Sequence, residues 1–384
     1  MKFKISRYLK STMTCAGLAL YVVGVQAQDL TVGVVLATSG PGSAVGVPTR
    51  NAIGQWPTAI SGHKIKLLIQ DDRSDPSAAT SIVRRMVSDD KVDIIVGGSL
   101  TPSSLSIAAV ANETETPFLA LAPTVLNDKI QTWAFNLPTS TALMASAVFD
   151  NMGKAGVKSV GFIGFSDVWG DQWLGELKSF AARGAVKLSG EERFGRGDTS
   201  VSGQVLRLIS EKPDAILVGG TSSAAGLVQK TLRENGFKGK VYHTHGAVTK
   251  DFLRIAAGDG DGAIAPAGPS AVAEELPTSN LSRVAGLAFV TGYEAKFGAG
   301  TRTPFGAHAY DAGIVMEKAI PIALQKGQPG TKEFRLALKQ AIESLRELPV
   351  SQGVINYSAT NHYGMDERAR VMVVVQNGAW KLLR

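Results

Sequence analysis

The sequence predicts an α/β protein made of two similar, doubly wound parallel-sheet lobes. One observation is the stretch Val92-Asp93-Ile94-Ile95-Val96-Gly97-Gly98-Ser99-Leu100-Thr101-Pro102-Ser103-Ser104. Its short β-branched run reads as a buried strand, and Pro102 suits the first turn of a helix. The second observation is recurrence: Asp214-Ala215-Ile216-Leu217-Val218-Gly219-Gly220-Thr221-Ser222-Ser223 repeats strand, paired glycines and hydroxyl cluster. The third is that Val32-Gly33-Val34-Val35-Leu36 matches Val160-Gly161-Phe162-Ile163-Gly164 in the same order. Strands alternating with helices imply parallel sheets with right-handed crossovers.

The junction itself carries chemistry. A strand, a tight turn and a helix N-terminus leave free backbone N–H groups and the positive end of a helix dipole facing one spot, which suits an anion. Helix capping alone explains Ser and Thr in a single such turn. Its occurrence twice makes it a candidate site.

The remaining elements follow in order. Residues 30–36 form the first strand, apolar throughout as parallel strands are, and Thr38-Ser39-Gly40-Pro41-Gly42-Ser43 a turn. Residues 46–60 are expected to be largely helical, broken by Pro48 and Pro57, and 64–70 to be a strand ending in Asp71-Asp72. In 76–89, Ala78, Ile82, Val83, Met86 and Val87 share one helical face. After the strand and helix of 92–112 and a strand at 117–121, Trp133-Ala134-Phe135-Asn136-Leu137-Pro138 reads as a crossing, with Thr139-Ser140 capping the next helix. The second half places strands near 158–164, 185–193, 214–219 and 239–243, and helices near 171–183, 200–211 and 223–235. Gly258-Asp259-Gly260-Asp261-Gly262 lacks the acidic spacing of a calcium loop and reads as a plain loop. Helices are expected over 280–297, 303–326 and 332–344, then strands at 353–357 and 370–375, a turn at Asn377-Gly378 and a last strand at 380–383.

Composition narrows the function. The chain has 384 residues, 44% hydrophobic and 19% charged, which fits a folded protein with a large core. Lys2, Lys4, Arg7 and Lys10, an apolar run over about 13–25 and Val25-Gln26-Ala27 form a secretory signal peptide cleaved after Ala27. Its apolar run is too short for a membrane span of roughly 20 residues. Removing it takes away four basic residues and no acids, so the net charge falls from +7 to +3. No dense Lys/Arg stripe remains, and no nucleic-acid partner is expected. The one cysteine, Cys15, lies within the leader, behind Thr12-Met13-Thr14 rather than the Leu and small residue of a lipid-anchor site. The mature chain therefore relies on its core, without disulfides.

Catalytic signatures are missing. Gly164-Phe165-Ser166-Asp167-Val168 lacks the second glycine of a nucleophile elbow. There is no Walker loop and no full dinucleotide spacing, so no cofactor is expected. His243-Thr244-His245 offers two imidazoles without a third ligand, so no metal is assigned. Trp169, in Ser166-Asp167-Val168-Trp169-Gly170-Asp171 after a strand, is either a core residue or a wall of the crevice at the strand ends.

These segments together resemble the leucine/isoleucine/valine-binding family, the type I periplasmic solute-binding proteins of ABC importers. The marks are residues 32–36 with Ser39-Gly40-Pro41; Asp71-Asp72 with Asp75-Pro76 and Ala79; residues 91–104; Pro117-Phe118-Leu119-Ala120-Leu121-Ala122-Pro123; and Trp169-Gly170, where the family often has Tyr-Gly. Lys212-Pro213-Asp214, Gly219-Gly220, Tyr310-Asp311-Ala312 and His362-Tyr363-Gly364 extend the likeness over 29–384. The resemblance implies lobe 1 from 28–138 and 270–350, lobe 2 from 139–269 and 351–384, and a hinge of three crossings. It implies a monomer that closes like a Venus flytrap around a small molecule and delivers it to a membrane permease, without chemistry. The same lobes in a sensory module and an exported enzyme are the rival readings.

Site residues carry over by position. Thr101 falls where the family places a hydroxyl on the ligand carboxylate, flanked by Ser99 and Leu100. Ala122, Pro123 and Thr124 fall at the next turn. Trp169 replaces the tyrosine; Thr221 and His245 or Gly246 fall at the contacts of lobe 2; Val45 stands where an aromatic is common; and Ser39 belongs to the first turn. Amino-acid binders of this family hold the ammonium with an acid in lobe 2, where this chain has His243–Gly246. Burying an unpaired ammonium costs several kcal/mol. The expected ligand is a carboxylate without an amine, an aromatic or branched acid; an amino acid is the alternative, with Asp167 as the acid that would rescue it.

Overall fold

The computed structural model describes residue 1, residues 28–125 and residues 132–384, so the expected leader at 2–27 lies outside the described residues. The first sheet is built from β1 (Leu30–Leu36), β2 (Ala59–Ile60), β3 (His63–Asp71), β4 (Ile94–Gly97), β5 (Phe118–Ala120) and β6 (Ala134–Asn136), with α1 (Ser43–Ile53), α2 (Pro76–Ser88) and α3 (Thr101–Glu113) between them. Its order is β2-β3-β1-β4-β5-β6, parallel except for β2. The second sheet follows with α4 (Thr141–Lys154), β7 (Ser159–Phe165), α5 (Val168–Ala182), β8 (Lys187–Phe194), α6 (Ser202–Ser210), β9 (Ala215–Gly219), α7 (Ser222–Glu234), β10 (Lys240–His243), α8 (Lys250–Ala256) and β11 (Ile264–Ala267). The chain then returns to the first lobe for α9 (Arg283–Phe297), α10 (Pro304–Ala323), α11 (Lys332–Glu343) and the hairpin β12 (Leu348–Val350) and β13 (Gly353–Ile355), and ends as β14 (Val371–Gln376) and β15 (Ala379–Leu382). The second sheet runs β15-β14-β11-β10-β9-β7-β8.

The two halves share one strand order. Counting from each lobe's first strand, β3-β1-β4-β5-β6 and β8-β7-β9-β10-β11 both read 2-1-3-4-5. In such sheets the crevice for ligands opens at the carboxyl ends of the strands, where the order reverses. The strands β4, β5, β6, β9 and β11 are buried throughout, and several helices are capped by the residues that the sequence offers. Asp75 accepts from Ser77 N before α2, Ser140 from Leu143 N before α4, Thr303 from Gly306 N before α10 and Thr331 from Phe334 N before α11.

Three details depart from the sequence reading. Residues 134–136 are an edge strand, β6, paired with β5, so the first crossing follows it rather than including it. The first helix begins at Ser43, carries Pro48 inside and stops at Ile53, with the short strand β2 after it. Ile355 and Tyr357 pack with α9–α11 in the core of the first lobe, so the third crossing runs at 366–370 and not at 350.

Two of the crossings are anchored on the first lobe. Tyr357, in the core of that lobe, donates its hydroxyl to Asn136 O at 2.6 Å, at the end of β6 where the first crossing begins. Gln352, in the β12–β13 turn, accepts from Ser270 Oγ of the second crossing at 3.4 Å. Asp311, fully buried in α10, accepts from Ser351 N at 2.7 Å and Gln352 N at 3.1 Å.

A close approach recurs in both lobes. The helix after each first strand packs a glycine on the end of that strand: a Cβ on Gly46 would stand 2.0 Å from Ala37 O, and one on Gly170 would stand 1.9 Å from Phe165 O. Gly170→Ala should therefore push the first turn of α5, with Trp169 on it, off the sheet. The expected cost is about 1–3 kcal/mol, read by urea denaturation, with weaker ligand binding beside it.

Candidate functional site

Between the lobes, at the carboxyl ends of both sheets, lies a narrow cavity. The first lobe lines it with Val45, Ser99, Leu100, Thr101, Leu121, Ala122, Pro123, Phe305 and His308. The second lobe adds Trp169, Arg196, Thr221 and His245. Each comes from a loop or helix start just past a strand, or from the start of α10.

Most of the expected residues meet here. Val45, Ser99, Leu100, Thr101, Ala122, Pro123, Trp169, Thr221 and His245 all line the cavity. Three do not. Ser39 is exposed and held by Asp71, through Ser39 N at 3.2 Å and Ser39 Oγ at 2.6 Å. Thr124 spends its hydroxyl on Ser104 Oγ at 2.7 Å and Ala122 O at 2.8 Å, and its backbone N–H on Asn136 Oδ1 at 2.9 Å. Gly246 faces Thr221, where a Cβ would stand 2.5 Å from Thr221 Cγ2. The pair His243 and His245 diverges: His243 is buried against Phe252 and bonds Gln229 Oε1 at 2.9 Å, while His245 turns to the cavity.

Arg196, Phe305, His308 and Leu121 were not anticipated. Arg196 lies two residues past β8, in Phe194-Gly195-Arg196-Gly197, and its place at a strand's carboxyl end was the available signal. Its Nε donates to Asp167 Oδ2 at 2.6 Å, and its guanidinium lies 4.1 Å from the Phe165 ring centroid. Burial lowers its pKa, opposed by Asp167, yet an arginine stays charged. Asp167 also accepts from Trp169 N at 3.0 Å and Gly170 N at 3.3 Å, as the cap of α5. That carboxylate is committed to the helix and to Arg196, and is not among the lining residues.

The rest of the wall is neutral or positive in character. The starts of α3 and α7 bring Thr101 and Thr221, neither of which caps its helix with a side chain. The first turn of α10 brings Phe305, which packs with Ala37, Val45 and Leu100 into an apolar wall. His245 stands edge-on to Trp169, with ring centroids 5.2 Å apart. Burial pushes the pKa of His245 down to about 4 and that of His308 down to about 3. Both are neutral at pH 7, and among the described residues no aspartate or glutamate lines the cavity. Among the described residues no group of three or more His, Cys, Asp or Glu is placed to hold a metal ion.

This gives a pH dependence with a definite sign. Opening the cleft wets both imidazoles and returns them toward the ordinary value of 6.5, while closure keeps them uncharged. The open form then binds more protons below pH 6.5, so closure weakens as pH falls through 6.5 toward 4. Titration calorimetry should find ligand affinity at pH 5 about ten- to a thousandfold below that at pH 7. A flat profile over that range would contradict this account of the histidines.

Two sheets of one strand order, with a cleft between their carboxyl ends, define a two-lobed ligand-binding protein. The chain belongs to the periplasmic binding protein family, whose model matches residues 29–379. An extracellular ligand-binding receptor from Rhodopseudomonas palustris is 43% identical with a TM-score of 0.91, covering 93% of this chain and 100% of that one. The isoleucine complex of a branched-chain amino acid transporter substrate-binding protein from Streptococcus pneumoniae shares the fold, with a TM-score of 0.76 at 17% identity over 92% of this chain and 98% of that one. A Leu/Ile/Val-binding protein from Rhizobium johnstonii is 22% identical over 86% of this chain and 88% of its own length. An amino acid binding protein from Pseudomonas aeruginosa is 24% identical over 52% of this chain, and the match spans only 54% of that relative.

Proposed function

We propose that this protein is the periplasmic receptor of an ABC importer, exported with cleavage after Ala27, and that it closes as a monomer around a small carboxylate lacking an amine. One observation carries the ligand class: among the described residues the cavity wall holds a cation, Arg196, and helix starts bearing Thr101 and Thr221, and no acid. A carboxylate meets charge-assisted donors there. An ammonium meets no acid among the lining residues, and its desolvation is uncompensated. The apolar wall of Val45, Leu100 and Phe305, with Trp169 opposite, suits an aromatic or branched body.

An amino acid is the second reading, favoured by the likeness to the Leu/Ile/Val-binding protein from Rhizobium johnstonii and the amino acid binding protein from Pseudomonas aeruginosa. A thermal-shift panel on residues 28–384, with amino acids on one side and aromatic and aliphatic acids on the other, separates the two. At 100 times its Kd a ligand adds about 2.7 kcal/mol of stability. Shifts with acids alone support the carboxylate reading, and shifts with amino acids alone overturn it. Deleting the gene separates transport from sensing. A lost uptake of the bound acid is the importer outcome, whereas retained uptake with a lost transcriptional response marks a sensory module.

A further inference from the structure

Three buried nitrogens in the cavity wall have no hydrogen-bond partner among the described residues: Trp169 Nε1, His245 Nδ1 and His308 Nδ1. Their residues are 4%, 3% and 4% exposed. Leaving such a group unpaired in a closed cleft is costly, so each points to something the solute brings. The lobes contribute from both sides. His308 comes from α10 of the first lobe, and Trp169 and His245 from the second.

The chemistry of His308 is the most telling. Nδ1 is its unpartnered nitrogen, and with the Leu121 backbone beside the ring we assign the ring proton to Nε2. In a neutral imidazole whose other nitrogen donates its proton to a carbonyl, Nδ1 is a bare acceptor. A carboxylate oxygen cannot satisfy it, because two lone pairs would face each other. The solute must therefore carry a donor besides its anionic group. Trp169 Nε1 is the complement: it only donates.

Resting on the carboxylate reading above, we infer that the solute is a hydroxylated carboxylate, with its hydroxyl donating to His308 Nδ1 and accepting from the Trp169 indole N–H. His245 closes the same polar corner from the second lobe. The anionic end stays with Arg196 and the helix starts at Thr101 and Thr221.

Matched solutes test this by titration calorimetry on residues 28–384. One set is 4-methylpentanoate, 2-hydroxy-4-methylpentanoate and leucine, which differ only at one carbon. The other is benzoate against 4-hydroxybenzoate. In at least one set the hydroxy acid should bind at least tenfold more tightly than its deoxy partner, since a site built for a hydroxyl rejects the analogue that leaves its polar groups unpaired. In His308→Leu that ratio should fall to near one, and His308→Gln, which keeps an acceptor, should recover part of it. Ratios near one in both sets with the unaltered protein overturn the hydroxyl inference alone, as does a ratio that survives His308→Leu. Binding of leucine with no acid bound overturns both this inference and the carboxylate reading.

Discussion

Arg196→Met is expected to lower the affinity for the carboxylate solute at least about a hundredfold, the loss of one buried charge-assisted contact. Among the described residues Arg196 is the only charged side chain in the cavity wall. Its position is fixed twice, by the 2.6 Å bond to Asp167 and by the Phe165 ring at 4.1 Å. The same substitution strands Asp167, so part of the effect could be structural. The double variant Arg196→Met with Asp167→Asn isolates the two contributions. Asparagine still caps α5, so stability should return while affinity does not. Arg196→Lys should fall between, because an ammonium keeps the charge but loses the planar fork. Calorimetry and urea denaturation on the same samples give both readouts. An Arg196→Met protein that binds the acid at the original strength would remove the cation from the recognition argument.

Asp311→Ala should cost about 2–5 kcal/mol of stability, the loss of an acceptor for two buried donors. Its carboxylate takes Ser351 N and Gln352 N at the end of the β12–β13 hairpin turn, and Gln352 in turn meets Ser270 at the second crossing. Burial raises its pKa to about 7, held from rising further by the two backbone donors. Asp311→Asn keeps one acceptor oxygen and should cost less than Asp311→Ala. Because Asp311 braces the β12–β13 turn and does not line the cavity, the effect belongs to unfolding free energy more than to ligand selectivity. A loss below 1 kcal/mol in Asp311→Ala would mean that the β12–β13 turn repacks around the missing carboxylate.

Much of the fold was legible because its signals are local and repeated. Gly97-Gly98 and Gly219-Gly220 end buried strands, and hydroxyl residues start the helices after them, so two copies of one unit stand out. The short edge strand β6 did not, since three residues between Trp133 and Pro138 show no periodicity and pair only through tertiary contact. The third crossing was placed too early because Ile355 and Tyr357 read like any strand, whatever lobe they pack in.

The site was legible where a strand's carboxyl end and a helix start coincide, as at Thr101, Trp169 and Thr221. His308 was hidden inside a helix, where a histidine reads as an ordinary interior residue. Arg196 was hidden because its meaning rests on Asp167 and Phe165, about thirty residues away in sequence. Ser39 and Thr124 went astray for a related reason. Their hydroxyls suited a ligand in sequence, but Asp71 and Ser104 claim them in space.

The most direct test of the central claim is the pair leucine and 4-methylpentanoate, titrated into residues 28–384 at pH 7. The two solutes share a carboxylate and a branched body and differ by the ammonium alone. A cavity whose described lining holds Arg196, two neutral histidines and no acid should bind 4-methylpentanoate more tightly, by about a hundredfold for an unpaired buried ammonium. Tighter binding of leucine would contradict the account, and would mean that the closed cleft supplies an acid that its lining does not contain.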